Sequence, residues 1–170
     1  MCAIKEDRFF YSSSNPNAKL IGDSNVKSLS NFSLHPILGF ILKPGISLKN
    51  YLPAERVKRL YEKPGEPEWL SISTNNYGFF SQYNYPLTVN TEHTYVVGVI
   101  GGSVAHWFSI QSQEILLKLL EKNPLVKGKN ILILNFAAGG YKQPQQLIVL
   151  NYFLSLGQHF DLVVNIDGFN

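Results

Sequence analysis

Cysteine occurs once in the 170 residues, as Cys2, which excludes an internal disulfide and leaves the redox compartment undecided. Charge is sparse as well. Only 16% of the residues are charged and the net charge is +3, with the basic side chains Lys43, Lys49, Arg56, Lys58, Arg59, Lys118, Lys122, Lys127 and Lys129 scattered along the chain. No patch for nucleic acid results, and Arg56-Val57-Lys58-Arg59 reads as a solvated helix face. No apolar run reaches the ~20 residues of a membrane span, and the N-terminus has no signal-peptide pattern. The cytoplasm is therefore the default expectation. The Gly-x-Gly-x-x-Gly spacing of a dinucleotide site and the lysine of a phosphate loop are also missing. No cofactor and no metal is expected.

What is present is apolar. Hydrophobic residues make up 45% of the chain, enough for one domain with a sizeable core and too much for disorder. In Val96-Val97-Gly98-Val99-Ile100-Gly101-Gly102-Ser103-Val104-Ala105 an apolar run ends in two glycines and a serine and then turns amphipathic. A buried parallel strand hands over to a helix in this way, and such strand ends hold the ligand crevice of open α/β sheets. Ser103 is the first candidate for chemistry; the alternative is a tight turn whose serine only caps the helix.

Two further runs repeat the pattern. Asn130-Ile131-Leu132-Ile133-Leu134-Asn135 breaks into Phe136-Ala137-Ala138-Gly139-Gly140-Tyr141, and Asp161-Leu162-Val163-Val164-Asn165-Ile166 breaks into Asp167-Gly168-Phe169-Asn170. Repeated strand, turn and helix units imply right-handed crossovers and a parallel sheet whose turns open on one edge. Strands are expected at Tyr95 to Ile100, Ile131 to Leu134 and Leu162 to Ile166, so that Ser103, Gly140 and Asn170 converge. Between them, Ile110, Ile115, Leu116, Leu119 and Leu120 mark one helix that ends at Asn123-Pro124. Leu147 to Leu156 forms a second, nearly all-apolar helix, expected to be buried between the sheet and either a missing half of the domain or the N-terminal segment.

In order, spacing and placement, these three strand ends resemble the first three sequence blocks of the SGNH (GDSL-like) hydrolase superfamily. The resemblance implies a three-layer α/β/α, flavodoxin-like fold with the first parallel strand between the other two. It also implies a catalytic Ser103 in Gly101-Gly102-Ser103, with the N–H of Gly140 and the side-chain amide of Asn170 as oxyanion donors. Gly102 stands where the literal Gly-Asp-Ser has aspartate, and Asp167 is a loop-ordering carboxylate rather than a catalytic acid. The implied activity is that of an esterase or deacylase on a small-molecule or carbohydrate acyl ester. The alternatives are an O-acetyltransferase on the same scaffold and a non-catalytic binding domain. Lys142, Gln143 and Gln146, beside the second block, are either substrate contacts or surface residues at a helix start.

The family's late Asp-x-x-His block, which supplies the base, is absent. Of His35, His93, His106 and His159, His106 follows Ser103 by three residues in the same helix and reads as partly exposed, and His159 reads as a surface group. The sheet is expected to be incomplete, the N-terminal part of an SGNH hydrolase-like domain at residues 94–170. Residues 1–93, rich in proline and glycine, are expected to form an irregular extension of loops and short strands. In that part Gly22-Asp23-Ser24 spells the family's literal motif, but only Lys19-Leu20-Ile21 precedes it, too little for a central strand. Tyr77, Phe79, Phe80, Tyr83 and Tyr85 are expected to pack rather than to line a cleft.

Overall fold

Val96, Val97, Val99 and Ile100 are all at most 3% exposed, which requires a strand with partners on both edges and layers on both faces. The computed structural model, which describes residues 31–61 and 67–167, provides both. Strand β3 (Thr94–Gly101) lies between β4 (Asn130–Ala137) and β5 (Leu162–Ile166), and both pairings are parallel. Its β-branched residues suit a pleated surface buried on both sides. Gly101 is level with Ala137 on one neighbour and with Ile166 on the other, so the three carboxyl ends are flush.

Two contacts set the β5 register. The Asp161 carboxylate accepts the Val96 N–H at 2.7 Å, while the Asp161 N–H donates to the Val96 carbonyl at 2.8 Å. Both backbone groups of Val96 are thus held by the residue that leads into β5. At Gly98 the missing side chain makes room for the Phe160 ring, which a Cβ would approach to 2.6 Å.

Alternation divides the sheet into two faces. On one, Ile100, Leu134 and Phe136 meet Val149 and Phe153 of helix α5 (Gln145–Ser155). On the other, Val99 and Ala137 meet Ala105 and Phe108 of helix α3 (Ser103–Gln111). The result is a mixed α/β fold, a three-stranded parallel sheet flanked by helices.

The helix expected to run to Leu120 is two helices. Ser112, at φ −116° and ψ 11°, ends α3 and precedes α4 (Gln113–Leu120), its backbone carbonyl accepting from the Ile115 and Leu116 N–H groups at 3.1 Å each. After it, α4 buries none of its residues, with Ile115 63% and Leu119 58% exposed. Helix α5 also departs from expectation, because only Gln146, Val149 and Phe153 are buried. Leu147 and Leu154, on its outer side, are about half exposed. One side packs on the sheet and on the N-terminal segment, Phe153 meeting Tyr77 and Phe79 and Tyr152 meeting His35, while the outer stripe is exposed rather than deeply buried.

The described residues that precede β3, 31–61 and 67–93, pack with the sheet in the same compact unit. They hold the antiparallel hairpin β1 (Phe32–His35) and β2 (Gly39–Leu42), and the short helices α1 (Leu48–Tyr51) and α2 (Ala54–Tyr61). Asn75 knits the following loop, accepting from the Tyr77 and Phe79 N–H groups and donating to the Tyr83 carbonyl. Phe79, Phe80 and Tyr85 are buried as core residues. Tyr85 stacks on Phe136 with ring centroids 4.3 Å apart and donates its hydroxyl to the Asn135 carbonyl at 3.1 Å. Burial pushes that phenol's pKa up, so the proton stays in place. Gly22-Asp23-Ser24 and Cys2 lie outside the described residues. No helix among those described is long and apolar enough to cross a membrane.

Gly101 has a φ of +150°, and a Cβ there would collide with the Ile166 carbonyl oxygen and lie 2.5 Å from the Ala105 Cβ. Gly101→Ala is therefore expected to cost ~2 kcal/mol or more in urea unfolding. A loss below about 0.5 kcal/mol would mean that β5 and α3 do not meet over this glycine.

Candidate active site

Hydrogen bonds between the strand ends build the carboxyl edge. β3 ends at Gly101, Gly102 caps the helix, and Ser103 is the first residue of α3, half-buried. Its position at the start of a nine-residue helix places it at the positive end of the helix dipole. The turn after β4 is tied to it directly, because the Ala138 N–H donates to the Gly101 carbonyl at 3.2 Å. Gly140 lies two residues further on, exposed, with φ +89°. Few other residues adopt that conformation.

The same turn is held from two other directions. Tyr141 is buried, and its hydroxyl donates to the Phe40 carbonyl at 2.8 Å, joining the hairpin to the turn. Gln146, only 1% exposed, donates its amide to the Tyr141 carbonyl and to Asp167 Oδ1, both at 3.2 Å, and its own oxygen accepts from Gln143 at 2.9 Å. One buried amide therefore links the turn after β4 to the residue following β5. Asp167 is thereby anchored to α5. Gln146 is not a surface residue, a correction that follows from its place on the inward stripe of α5 with Val149 and Phe153. Its spacing of three and seven from those two was the available signal. Gly168, Phe169 and Asn170 lie outside the described residues.

His106 also departs from expectation. It is buried, 5% exposed, with its ring edge-on to Phe80 and Trp107 at centroid distances of 5.5 and 5.1 Å. Nδ1 lies 3.4 Å from the Ala137 carbonyl oxygen, and Nε2 has no hydrogen-bond partner among the described residues. Burial pushes the ring's pKa down to about 4, against a smaller upward pull from that carbonyl. The ring faces a small crevice lined also by Phe32, Phe40, Tyr51, Gly78 and Gly139, and Tyr51 is the other titratable group there. Arg56 stacks on Trp107, 4.3 Å from the ring centroid.

The other histidines are elsewhere. His93 directly precedes β3 and His159 shortly precedes β5, which puts both at the amino edge, about 25 Å of strand away from Ser103. His159 is 3.3 Å from Asp161 Oδ2. His35 closes the hairpin turn, accepting from the Ile37 and Leu38 N–H groups and lying 3.4 Å from the Tyr152 hydroxyl. Among the described residues no group of three or more His, Cys, Asp and Glu side chains is placed to hold a metal ion. Comparison with protein-family models, curated proteins and solved structures finds no match to this chain.

Unfolded, an imidazole titrates near its ordinary value of ~6.5; folded, His106 titrates at about 4. Between these values the unfolded chain binds more protons, so the contribution is full above pH ~6.5 and drains away as pH falls toward 4. Measured by urea unfolding, the wild type is expected to lose up to ~3 kcal/mol relative to His106→Leu over that interval. Parallel stability curves for the two proteins would show that the ring is not held neutral.

Proposed function

We propose that this chain carries the nucleophile side of a serine ester hydrolase site of the SGNH type. The observation that supports this reading is the flush end of the three parallel strands, which sets the Gly101-Gly102-Ser103 turn beside the Gly139-Gly140 turn. In this reading Ser103 Oγ attacks the carbonyl carbon of an acyl ester while a base takes its proton. Negative charge then builds on the carbonyl oxygen, and the N–H groups of Ser103 and Gly140 with the Asn170 amide receive it. Fixed donors aimed at that oxygen act where the charge develops, each worth about 3 kcal/mol. Collapse expels the alcohol, which takes up the proton, and leaves an acyl-serine. Water then attacks that ester, releasing the acid and restoring Ser103. Transfer to a sugar hydroxyl instead of water would give an O-acetyltransferase with the same acyl-serine.

The base has to come from a group other than the four histidines. Two are at the wrong edge, His35 is engaged in its turn, and His106 is directed at the Ala137 carbonyl with a depressed pKa. This distribution is the one observation that favours the second reading, a binding domain without turnover.

A fluorophosphonate probe with peptide mapping separates the two, with p-nitrophenyl acetate as substrate. The 170-residue chain is expected to label at Ser103 and to hydrolyse the ester slowly, because the serine lacks its base. Added imidazole is expected to raise the rate above that of a Ser103→Ala control, the control removing imidazole's own reaction. Asn170→Ala should lower the Ser103-dependent rate roughly a hundredfold. Absence of both labelling and a Ser103-dependent rate would leave the binding-domain reading.

A further inference from the structure

The tautomer of His106 follows from what its two nitrogens face. A carbonyl oxygen can only accept, so the nitrogen 3.4 Å from the Ala137 oxygen has to carry the proton. In a neutral ring that leaves Nε2 as an acceptor. Nε2 is fully buried and unpartnered among the described residues, and the ring borders the crevice behind the Ala137–Gly139 segment. That crevice, at about 10 Å³, has room for about one water. A hydroxyl donor of that size is the partner the acceptor can take.

The ring also bridges the two turns of the proposed site. His106 is three residues after Ser103 on α3, hence on the same side of the helix, and Ala137 is the last residue of β4. The chain therefore runs from Ser103 along one helical turn to His106, across to Ala137, and on through Ala138 and Gly139 to Gly140. Beside it runs one backbone bond, from the Ala138 N–H to the Gly101 carbonyl. Two bridges fix a separation and an angle where one fixes only a separation.

We infer that His106 is a positioning residue for the site, its Nδ1–H holding the Ala137 carbonyl so that Ser103 and the turn bearing the Gly140 N–H keep a fixed geometry. Its relevance to catalysis rests on the hydrolase reading; the bridge itself does not. The role requires a neutral ring with the proton on Nδ1. A positive charge would be enclosed by Phe80 and Trp107 with no carboxylate against it among the described contacts.

The test uses the whole chain and three substitutions. Asparagine sets an amide N–H near the place of Nδ1, glutamine reaches toward Nε2, and leucine keeps bulk without either group. In the wild type at pH 7, ring ¹⁵N shifts are expected to show protonated Nδ1 and unprotonated Nε2. His106→Leu is expected to speed amide exchange in the peptide covering residues 138–141, with His106→Asn restoring protection and His106→Gln not. The fluorophosphonate labelling rate at Ser103 should follow the same order, falling about tenfold in the leucine variant. For the ester, kcat should fall with KM unchanged. An Nε2–H tautomer, or equal effects of all three substitutions, would overturn the inference. A wild type that does not label defeats the hydrolase reading alone, since tautomer and exchange still decide the bridge. If unfolding prevents study of the leucine variant, the wild-type tautomer and the asparagine–glutamine comparison decide it.

Discussion

The in-phase pairing of β3 with both of its neighbours is the constraint on which the rest depends. Side chains alternate with period two, so a slip of one residue would exchange the two faces of a strand. Val99 would then be offered to the α5 side and Ile100 to the α3 side. The carboxylate and N–H of Asp161 oppose such a slip, because together they engage the N–H and carbonyl of one residue, Val96. With that register held, the glycine-bearing turns after β3 and β4 emerge at one edge, where β5 also ends. Gly101, which admits no side chain beneath Ile166, lets α3 leave the sheet close to β5.

Above this edge the contacts form a polar lattice in an otherwise apolar setting. Asn135 is 1% exposed, and its side chain donates to the Phe80 carbonyl while accepting the Ala137 N–H. Gln146 and Tyr141 extend the network to Asp167 and to the hairpin. Leaving any of these groups unpaired in the interior would cost about 1–3 kcal/mol. The turns therefore owe their shape to side-chain amides as well as to glycine. These residues support the two turns without needing to touch a substrate.

The three parallel strands were legible because each is a short apolar run ending in small or polar residues, a local pattern. The observed strands begin or end at most three residues from the expected positions. Their order was legible only through the resemblance, and the central position of β3 agrees with it. The break at Ser112 was hidden because apolar spacing continues through it, even though the second helix buries none of its residues. His106 read as partly exposed because its burial depends on Phe80, which comes from the loop after α2 and not from its own helix. The packing of the loop between Asn75 and Tyr85 was similarly obscured. Turn residues there disguise a segment held by the side chains of Asn75 and Asn76 rather than by a long ladder.

The bond from Val96 to Asp161 joins residues 65 positions apart. Closing a loop of that length costs about 4 kcal/mol of chain entropy beyond a constant term. The ladder that repays it starts only once the ends have met. A hairpin such as β1–β2 carries no comparable burden. The carboxyl edge is therefore assembled by the slowest kind of pairing in the molecule, and its hydrogen-bonded lattice matures with the docking of β5. During synthesis, chains that have reached Gly140 but not Ile166 hold the serine and both glycine turns in sequence while lacking the strand that brings the edge to completion.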